Sequence, residues 1–335
     1  MTGESYQKTM GRARNYIPAL AYGHKIMPQD LAGQIGLPHV GNVIYVDPTN
    51  GSDTANDGSD QNRALKTVTA AHSAAVDNHH DVVVVVPGEV GSGSGTAETA
   101  ALTWSKDHTH LVGNSAPSRV SQRSRVLFTT AATSPQMTVS AMGCIFANVQ
   151  IATFVDANIL LTVSGQRNVF RNVHIAGIGD TTAGDDTAAR SLKLTGSENH
   201  FDDCVIGLDT VARSVANSEI ELSGGATRNS FRDCLVVAFA DNAGHFFVTA
   251  PDSGGIDRWT IFERTLFINA VDSTATAMTE AFNVHASAGG HIILKDCTLV
   301  GATDWEAATV SGLVLIDGAA PTAATSGLAV DVAAS

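Results

Sequence analysis

The sequence predicts an all-β fold, a right-handed parallel β-helix with three strands per coil, an N-terminal capping helix and an extended N-terminal arm. Three observations carry that expectation: a phrase that recurs six times, the near-constant spacing of its copies, and a bend residue in the same frame of most of them. The copies read Phe146-Ala-Asn148-Val149-Gln-Ile151, Phe170-Arg-Asn172-Val173-His-Ile175, Phe201-Asp-Asp203-Cys204-Val-Ile206, Phe231-Arg-Asp233-Cys234-Leu-Val236, Phe262-Glu-Arg264-Thr265-Leu-Phe267 and Leu294-Lys-Asp296-Cys297-Thr-Leu299. From each copy to the next the steps are 24, 31, 30, 31 and 32 residues. A strand-like unit at that period belongs to coils that stack, each touching only its neighbours.

Within the phrase, apolar residues stand at offsets 0, 3 and 5, so the inward phase flips once. Asn and Asp enter the left-handed conformation more readily than other non-glycine residues, so a tight corner at the third position joins two short strands. A third strand is expected at Met137-Thr-Val139, Leu161-Thr-Val163, Leu192-Lys-Leu194, Ile220-Glu-Leu222, Phe246-Phe-Val248, Phe282-Asn-Val284 and Leu313-Val-Leu315. These apolar-any-apolar triplets suit a strand with one buried face. The abundance of Val, Ile, Thr and Gly argues against long helices. Coils built this way stack about 4.8 Å apart.

The body occupies 89–318, preceded by a cap and first coil over 41–88 and an arm over 1–40, and followed by a small-residue tail over 319–335. A helix is expected from about Arg63 to Val76, with Leu65, Val68, Ala71 and Ala75 on one apolar face. It would cover the open end of the solenoid, which otherwise exposes unpaired strand edges. A shorter helix is expected near Pro28 to Ile35, and a strand from Asp81 to Pro87.

The chain has 335 residues and a net charge of −13, which argues against general nucleic-acid binding. Residues 1–40 reverse that balance, with Lys8, Arg12, Arg14 and Lys25 against Glu4 and Asp30. No apolar run is long enough to span a membrane and the N-terminus lacks an apolar leader core, so synthesis in the cytosol is expected. Of the four cysteines, Cys204, Cys234 and Cys297 share the inward slot of Val149 and Val173 and read as core thiols. Neither CxxC nor an ordered EF-hand loop occurs, so Asp47, Asp53, Asp57 and Asp60 read as turn formers, and no metal or other cofactor is expected. His108-Thr-His110 would place two rings on one strand face, but without a third or fourth ligand it reads as a surface pair.

Glycoside hydrolysis needs two carboxyl groups roughly 5–10 Å apart. The outward positions after the corner are Gln150, His174, Val205, Leu235, Leu266 and Thr298. Those on the third strand are Thr138, Thr162, Lys193, Glu221, Phe247, Asn283 and Val314. Neither column holds two stacked carboxylates. The acidic run Asp180, Asp185 and Asp186 reads as a solvated loop, and Trp104, Trp259 and Trp305 are too far apart in sequence to form a sugar-stacking platform. On these grounds the chain is expected not to be an enzyme. The first column turns apolar in its later coils, which places Val205, Leu235 and Leu266 at a subunit interface.

The run Asp47-Pro-Thr-Asn50-Gly-Ser-Asp53, then Asn56-Asp-Gly58, a helix, a Val-rich strand and Pro87-Gly88, resembles the opening of many pectate-lyase-like β-helix proteins. The resemblance covers roughly 41–318 and implies the fold. It leaves the function open, because that superfamily includes polysaccharide lyases, hydrolases, epimerases, adhesins, and tail and capsid-associated proteins of bacteriophages. With its Tyr-rich basic arm, the chain resembles bacteriophage virion proteins that carry a β-helix body on an N-terminal attachment arm. The expectation is a homotrimeric structural protein of the virion, a decoration, cement or head-spike subunit made in the host cytoplasm. It would dock on the major capsid protein or another virion protein through Tyr6, Arg12, Arg14, Tyr16 and Tyr22, residue types that dominate binding hot spots. The alternatives are a tailspike or fibre that binds or cleaves a host surface polysaccharide, and a polysaccharide lyase or hydrolase.

Overall fold

The corner at the third position of each phrase is left-handed in all six copies. Asn148, Asn172, Asp203, Asp233, Arg264 and Asp296 have φ between 48° and 56°. The structure, a computed structural model, describes residues 32–33, 35–37, 40–87, 96–131, 133–269, 276–306 and 314–316. Among the described residues the chain winds through three parallel sheets of ten, eight and eight strands. Sheet 1 holds the strands before the corner, such as Val169–Arg171, sheet 2 those after it, such as His174–Ala176, and sheet 3 the third strands, such as Ile159–Val163. This is a right-handed parallel β-helix, as the period implied.

Register follows the phrases. In sheet 1, Phe146, Phe170, Phe201, Phe231, Phe262 and Leu294 are successive partners. The five rings stack with centroids 4.5–4.7 Å apart and planes within 11° of parallel. Val149, Val173, Cys204, Cys234 and Thr265 are buried as expected, with Cys297 partly buried against the same core. All four cysteines are free thiols, and Cys204, Cys234 and Cys297 each donate to a phenylalanine carbonyl, those of Phe170, Phe201 and Phe262, at 3.3–3.4 Å.

A second ladder closes the turn that enters sheet 1. Asn168, Asn199 and Asn229 are fully buried, and their Oδ1 atoms accept from the backbone N–H of Cys144, Asn168 and Asn199 at 2.9–3.0 Å. Their amide nitrogens donate to the carbonyls of Ala141, Gly165 and Gly196. Buried backbone groups need such partners where the strand ladder stops.

Four expectations need correction. The capping helix is shorter, Val68–Ala74, with Thr67 as N-cap; Leu65 instead bridges Val46 as part of the coil. On sheet 3 the triplet is Val248-Thr249-Ala250, because Val248 pairs with Ile220 and Phe282. Phe247 is in the core, next to Phe267, together with its neighbour Val248, as Leu160 and Leu161 are one after the other. Val314–Ile316 joins sheet 1 beside His291–Lys295, whereas a third strand was expected there; Leu313 is outside the described residues. Finally, the body recruits the end of the arm. Ala32, Gly33 and Ile35 are helical, and Ile35, Leu37 and Val40 pack with Tyr45, Val82, Val84 and Val112 on the outer face of sheet 1. Tyr6, Arg12, Arg14, Tyr16, Tyr22 and the 319–335 tail lie outside the described residues.

The stacked rings make a direct stability test. Phe201→Ala should cost about 3–5 kcal/mol in chemical denaturation, the range for deleting a large side chain from a packed core. Phe201→Leu should cost clearly less, since most of the volume remains.

Candidate functional site

Sheet 1 buries the phrase phenylalanines, so the residues on either side of them face outward. In the first coils those positions are apolar and are covered by the segment containing Ile35, Leu37 and Val40. Further along they become charged. Arg171, Asp202, Arg232, Glu263 and Lys295 are consecutive partners, alternating in sign from coil to coil. The corner residues Asp203, Asp233, Arg264 and Asp296 run beside them.

Arg232, Asp233, Glu263, Arg264 and Lys295 form one ion-pair network. Glu263 takes Lys295 Nζ at 2.9 Å, Arg264 Nη1 at 2.7 Å and Arg232 Nε at 3.1 Å. Arg264 also forks onto Asp233, with Nε and Nη2 at 2.8 and 2.9 Å from its two carboxylate oxygens. Hydrogen bonds from Lys295 and Arg232 hold the Glu263 carboxyl down at about 2, and the Arg264 fork lowers Asp233. This column lies before the corner, outside the outward positions considered from sequence, which were those after the corner and on the third strand. The signal was present: the residue between Phe and the corner is charged in five consecutive phrases. Asp203 and Asp233 also stack at the corner of successive coils, so outward carboxylates are more closely grouped than expected.

At the turn leading into sheet 1, Arg167, Glu198, His200, Arg228 and Trp259 line an open depression of about 480 Å3. Glu198 bridges the two arginines, through Oε2 to Arg167 Nε at 2.7 Å and Oε1 to Arg228 Nη1 at 3.1 Å, and both contacts lower its pKa. His200 Nδ1 lies 2.7 Å from Ser230 Oγ. Trp259 is half-buried at the edge of this depression. Trp104, by contrast, is core, stacked on His72 at 4.5 Å, and Trp305 packs at the rim of the core near Phe267.

The other sequence candidates resolve into structure. His108 sits in a turn with φ 52°, so the HxH motif is not a strand pair. His110 is fully buried, its Nδ1 accepting from Ile145 N at 3.0 Å and its Nε2 lying 3.2 Å from His80 Nδ1. Burial, then His80 and His108, pushes its pKa down to about 3. Asp47, Asp53 and Asp60 accept from nearby backbone N–H groups, and Asp57 pairs with Arg63, which fits the turn reading. Asp180 caps the helical turn Thr181–Gly184, and Asp186 accepts from Ala188 N. A buried set the sequence reading missed joins Arg213 to Glu219 at 2.8 Å, with Ser191 donating to the same carboxylate. Burial raises the Glu219 pKa against the pull of Arg213.

On sheet 2, Val205 was expected at a subunit interface but is 1% exposed within the single chain. The chain's own 115–124 segment runs over this part of the body. Ser121 N donates to His174 Nδ1 at 3.1 Å, Gln122 Nε2 to Asn172 O at 2.5 Å, and Arg119 reaches Asp203 at 2.8 Å and the Asp233 carbonyl at 2.5 Å. Leu235, Leu266 and Ile268 remain half-buried, and Val300 is 43% exposed.

No family model and no curated protein matches the sequence. Among solved structures, the chain is similar to the pectin methylesterase PemA from Erwinia chrysanthemi, with a TM-score of 0.55, 16% identity, and coverage of 84% of this chain and 91% of that one. It is similar to the pectate lyase Pel9A at 0.53 and 15% identity, over 77% of this chain and 63% of that one. ORF18 of Geobacillus virus E2 resembles it more loosely, at 0.48 and 12% identity, over 82% of this chain and 55% of that one. The likeness to the esterase and the lyase establishes the fold. It also corrects the expectation that the chain is not an enzyme, because an esterase and a lyase are built on this same coil.

Glu263 yields a pH prediction. Its folded pKa lies below the ordinary 4.5, so its pairing stabilises the fold fully above pH 4.5 and is lost as pH falls through about 2. Glu263→Gln should therefore melt below the wild type at pH 7, and the gap should close as the pH approaches 2. Thermal unfolding followed by circular dichroism across that range checks both points.

Proposed function

We propose that the chain is a structural protein of a bacteriophage virion, a homotrimer packed through the later coils of sheet 2 and tied to the particle by its N-terminal arm. The observation that carries the reading is the uncovered aliphatic strip on that sheet. Leu235 pairs with Leu266, and Ile268 with Val300, so four half-buried or exposed aliphatic side chains lie in adjacent coils, with Val237 buried beside Ile268. Contiguous apolar surface of this kind marks an interaction site. Closed homo-oligomers bury such a strip by symmetry without leaving a free copy of it.

The arm supports the second half of the proposal. Tyr6, Arg12, Arg14, Tyr16 and Tyr22 give it the aromatic and guanidinium anchors of a hot spot, and its positive balance suits a partner unlike the acidic body. That partner would be the major capsid protein or another virion protein, and the site of action the virion. Because Ile35, Leu37 and Val40 pack on the body, the proposed arm is taken as residues 1–31.

Light scattering after size exclusion tests the assembly. The full chain should run at three times its monomer mass, and the double variant Leu235→Asp, Leu266→Asp should run as a folded monomer. Deleting residues 1–31 should leave the trimer intact and abolish attachment to particles. A monomeric wild type, or full attachment without the arm, would overturn the reading.

A further inference from the structure

The segment that crosses the outside of sheet 2 is firmly fixed only at its ends. It leaves the strand His110–Gly113, and it re-enters the coil at Ser124, whose Oγ donates to the Val85 carbonyl at 2.8 Å and whose carbonyl accepts from Gln150 N. Between these points residues 116–121 and Arg123 are exposed, and Gln122 is buried. Gln122 Nε2 donates to the Asn172 carbonyl, while its Oε1 has no hydrogen-bond partner among the described residues. Arg119 reaches Asp203 and the Asp233 carbonyl through contacts open to solvent, which add little. A further tie is the Ser121 N–H, which donates to His174 Nδ1 at 3.1 Å. Ser121 is held at φ 53°, a left-handed backbone that is strained for a serine.

Both ring nitrogens of His174 are committed. A backbone N–H can only donate, so Nδ1 is an acceptor. Nε2 lies 3.1 Å from the Gly207 carbonyl, which can only accept, so the ring proton sits on Nε2. The neutral imidazole fits these neighbours in that one tautomer. A second proton would go to Nδ1, where it would face the Ser121 N–H. Gln150 offers the charged ring a different partner. Its Nε2 stands 3.2 Å from His174 Nδ1, and its Oε1, in a residue 2% exposed, has no hydrogen-bond partner among the described residues. Turning that amide over presents an acceptor to the new N–H, and Ser121 loses its place.

The charged groups that face the ring are Arg125, on the strand Arg125–Phe128, and Asp209, in the loop after Gly207; Arg119 and Arg123 belong to the crossing segment itself. Burial first, and then Arg125, lowers the His174 pKa from the ordinary 6.5, against the Gly207 carbonyl and Asp209. A histidine held neutral in this way stabilises the closed segment above pH 6.5, and that contribution is lost progressively as the pH falls below 6.5.

We propose that residues 114–123 form an acid-released strap, in which a proton taken up at His174 Nδ1 displaces the Ser121 N–H and uncovers the outer face of sheet 2 at Val205. Val205 pairs with His174 on one side and with Leu235 on the other, and the strap contacts at His174 and Asp203 bracket it. Release therefore adds one coil to the aliphatic strip that begins at Leu235. The device consists of contacts within one chain and stands independently of the assembly reading.

The test is amide hydrogen exchange of the full chain at pH 7 and pH 5, read by mass spectrometry and corrected for the intrinsic pH dependence of exchange. Protection of the strap should fall about tenfold between the two, while the strands around it keep theirs. His174→Asn, whose Oδ1 replaces Nδ1 as acceptor but takes up no proton, should protect the strap equally at both pH values. Arg119→Gln should lower protection by one factor at both, with the acid response intact. Nitrogen NMR of the wild type, which depends on no variant folding, should show the His174 ring passing from the neutral Nε2–H form to imidazolium over the range in which protection falls. An unchanged strap at pH 5, an equal acid response in His174→Asn, an acid response abolished in Arg119→Gln, loss of protection throughout the coils, or opening while the ring stays neutral would each overturn the proposal.

Discussion

The left-handed corner between sheets 1 and 2 is the constraint on which the rest of this molecule depends. It reverses the inward phase of the chain within one residue, so that Phe201 and Cys204 can both enter the core although they stand three positions apart. A slip of one residue at that corner would turn every side chain of the following strand to the opposite face. Most copies place Asn or Asp there. Arg264 is the exception, and its fork onto Asp233 together with its contact to Glu263 holds it in place. At the opposite end of the sheet 1 strand, the amides of Asn168, Asn199 and Asn229 bond the turn of one coil to the next. Between these two fixed ends the phenylalanines have one position available, and they stack.

Because the core repeats from coil to coil, the outer faces are free to change along the axis. Sheet 1 begins apolar, under Ile35, Leu37 and Val40, and becomes a charged ladder. Sheet 2 runs the other way. Its Gln150 and His174 are buried and bonded to each other, with Ser121 also reaching His174, and its later coils expose aliphatic side chains. The two faces therefore differ in character, an aliphatic strip on sheet 2 and an ion-paired face on sheet 1. Neither demands a change in the coil that carries it.

The buried Glu219 and Arg213 pair shows how the loops are held to this scaffold. Arg213 donates to Glu219 and to the carbonyls of Ile178, Val211 and Leu208, so one guanidinium ties its own loop to two neighbouring segments. His245 adds a bond to Asn217 at 2.7 Å. An ion pair of this kind gains little over apolar packing, but removing one partner strands a buried charge, so the loop conformation is strongly specified.

By itself the sequence determined the coil. The period, the phenylalanine register, the shared slot of the cysteines and the corner all follow from local chemistry repeated about every 31 residues. Only the tertiary structure decided which outward residues are covered and which meet one another. Val205 looks like an exposed aliphatic in sequence, yet the fold buries it in a region crossed by a segment whose Arg119 reaches Asp233, 114 residues away. The placing of Phe247 and Val248 together in the core, the return of Val314–Ile316 to sheet 1, and the meeting of Arg167, Glu198, Arg228 and Trp259 are of the same kind. An inward side chain is specified by the strand that carries it. An outward one is specified by whatever the rest of the chain lays against it, and no local pattern records that.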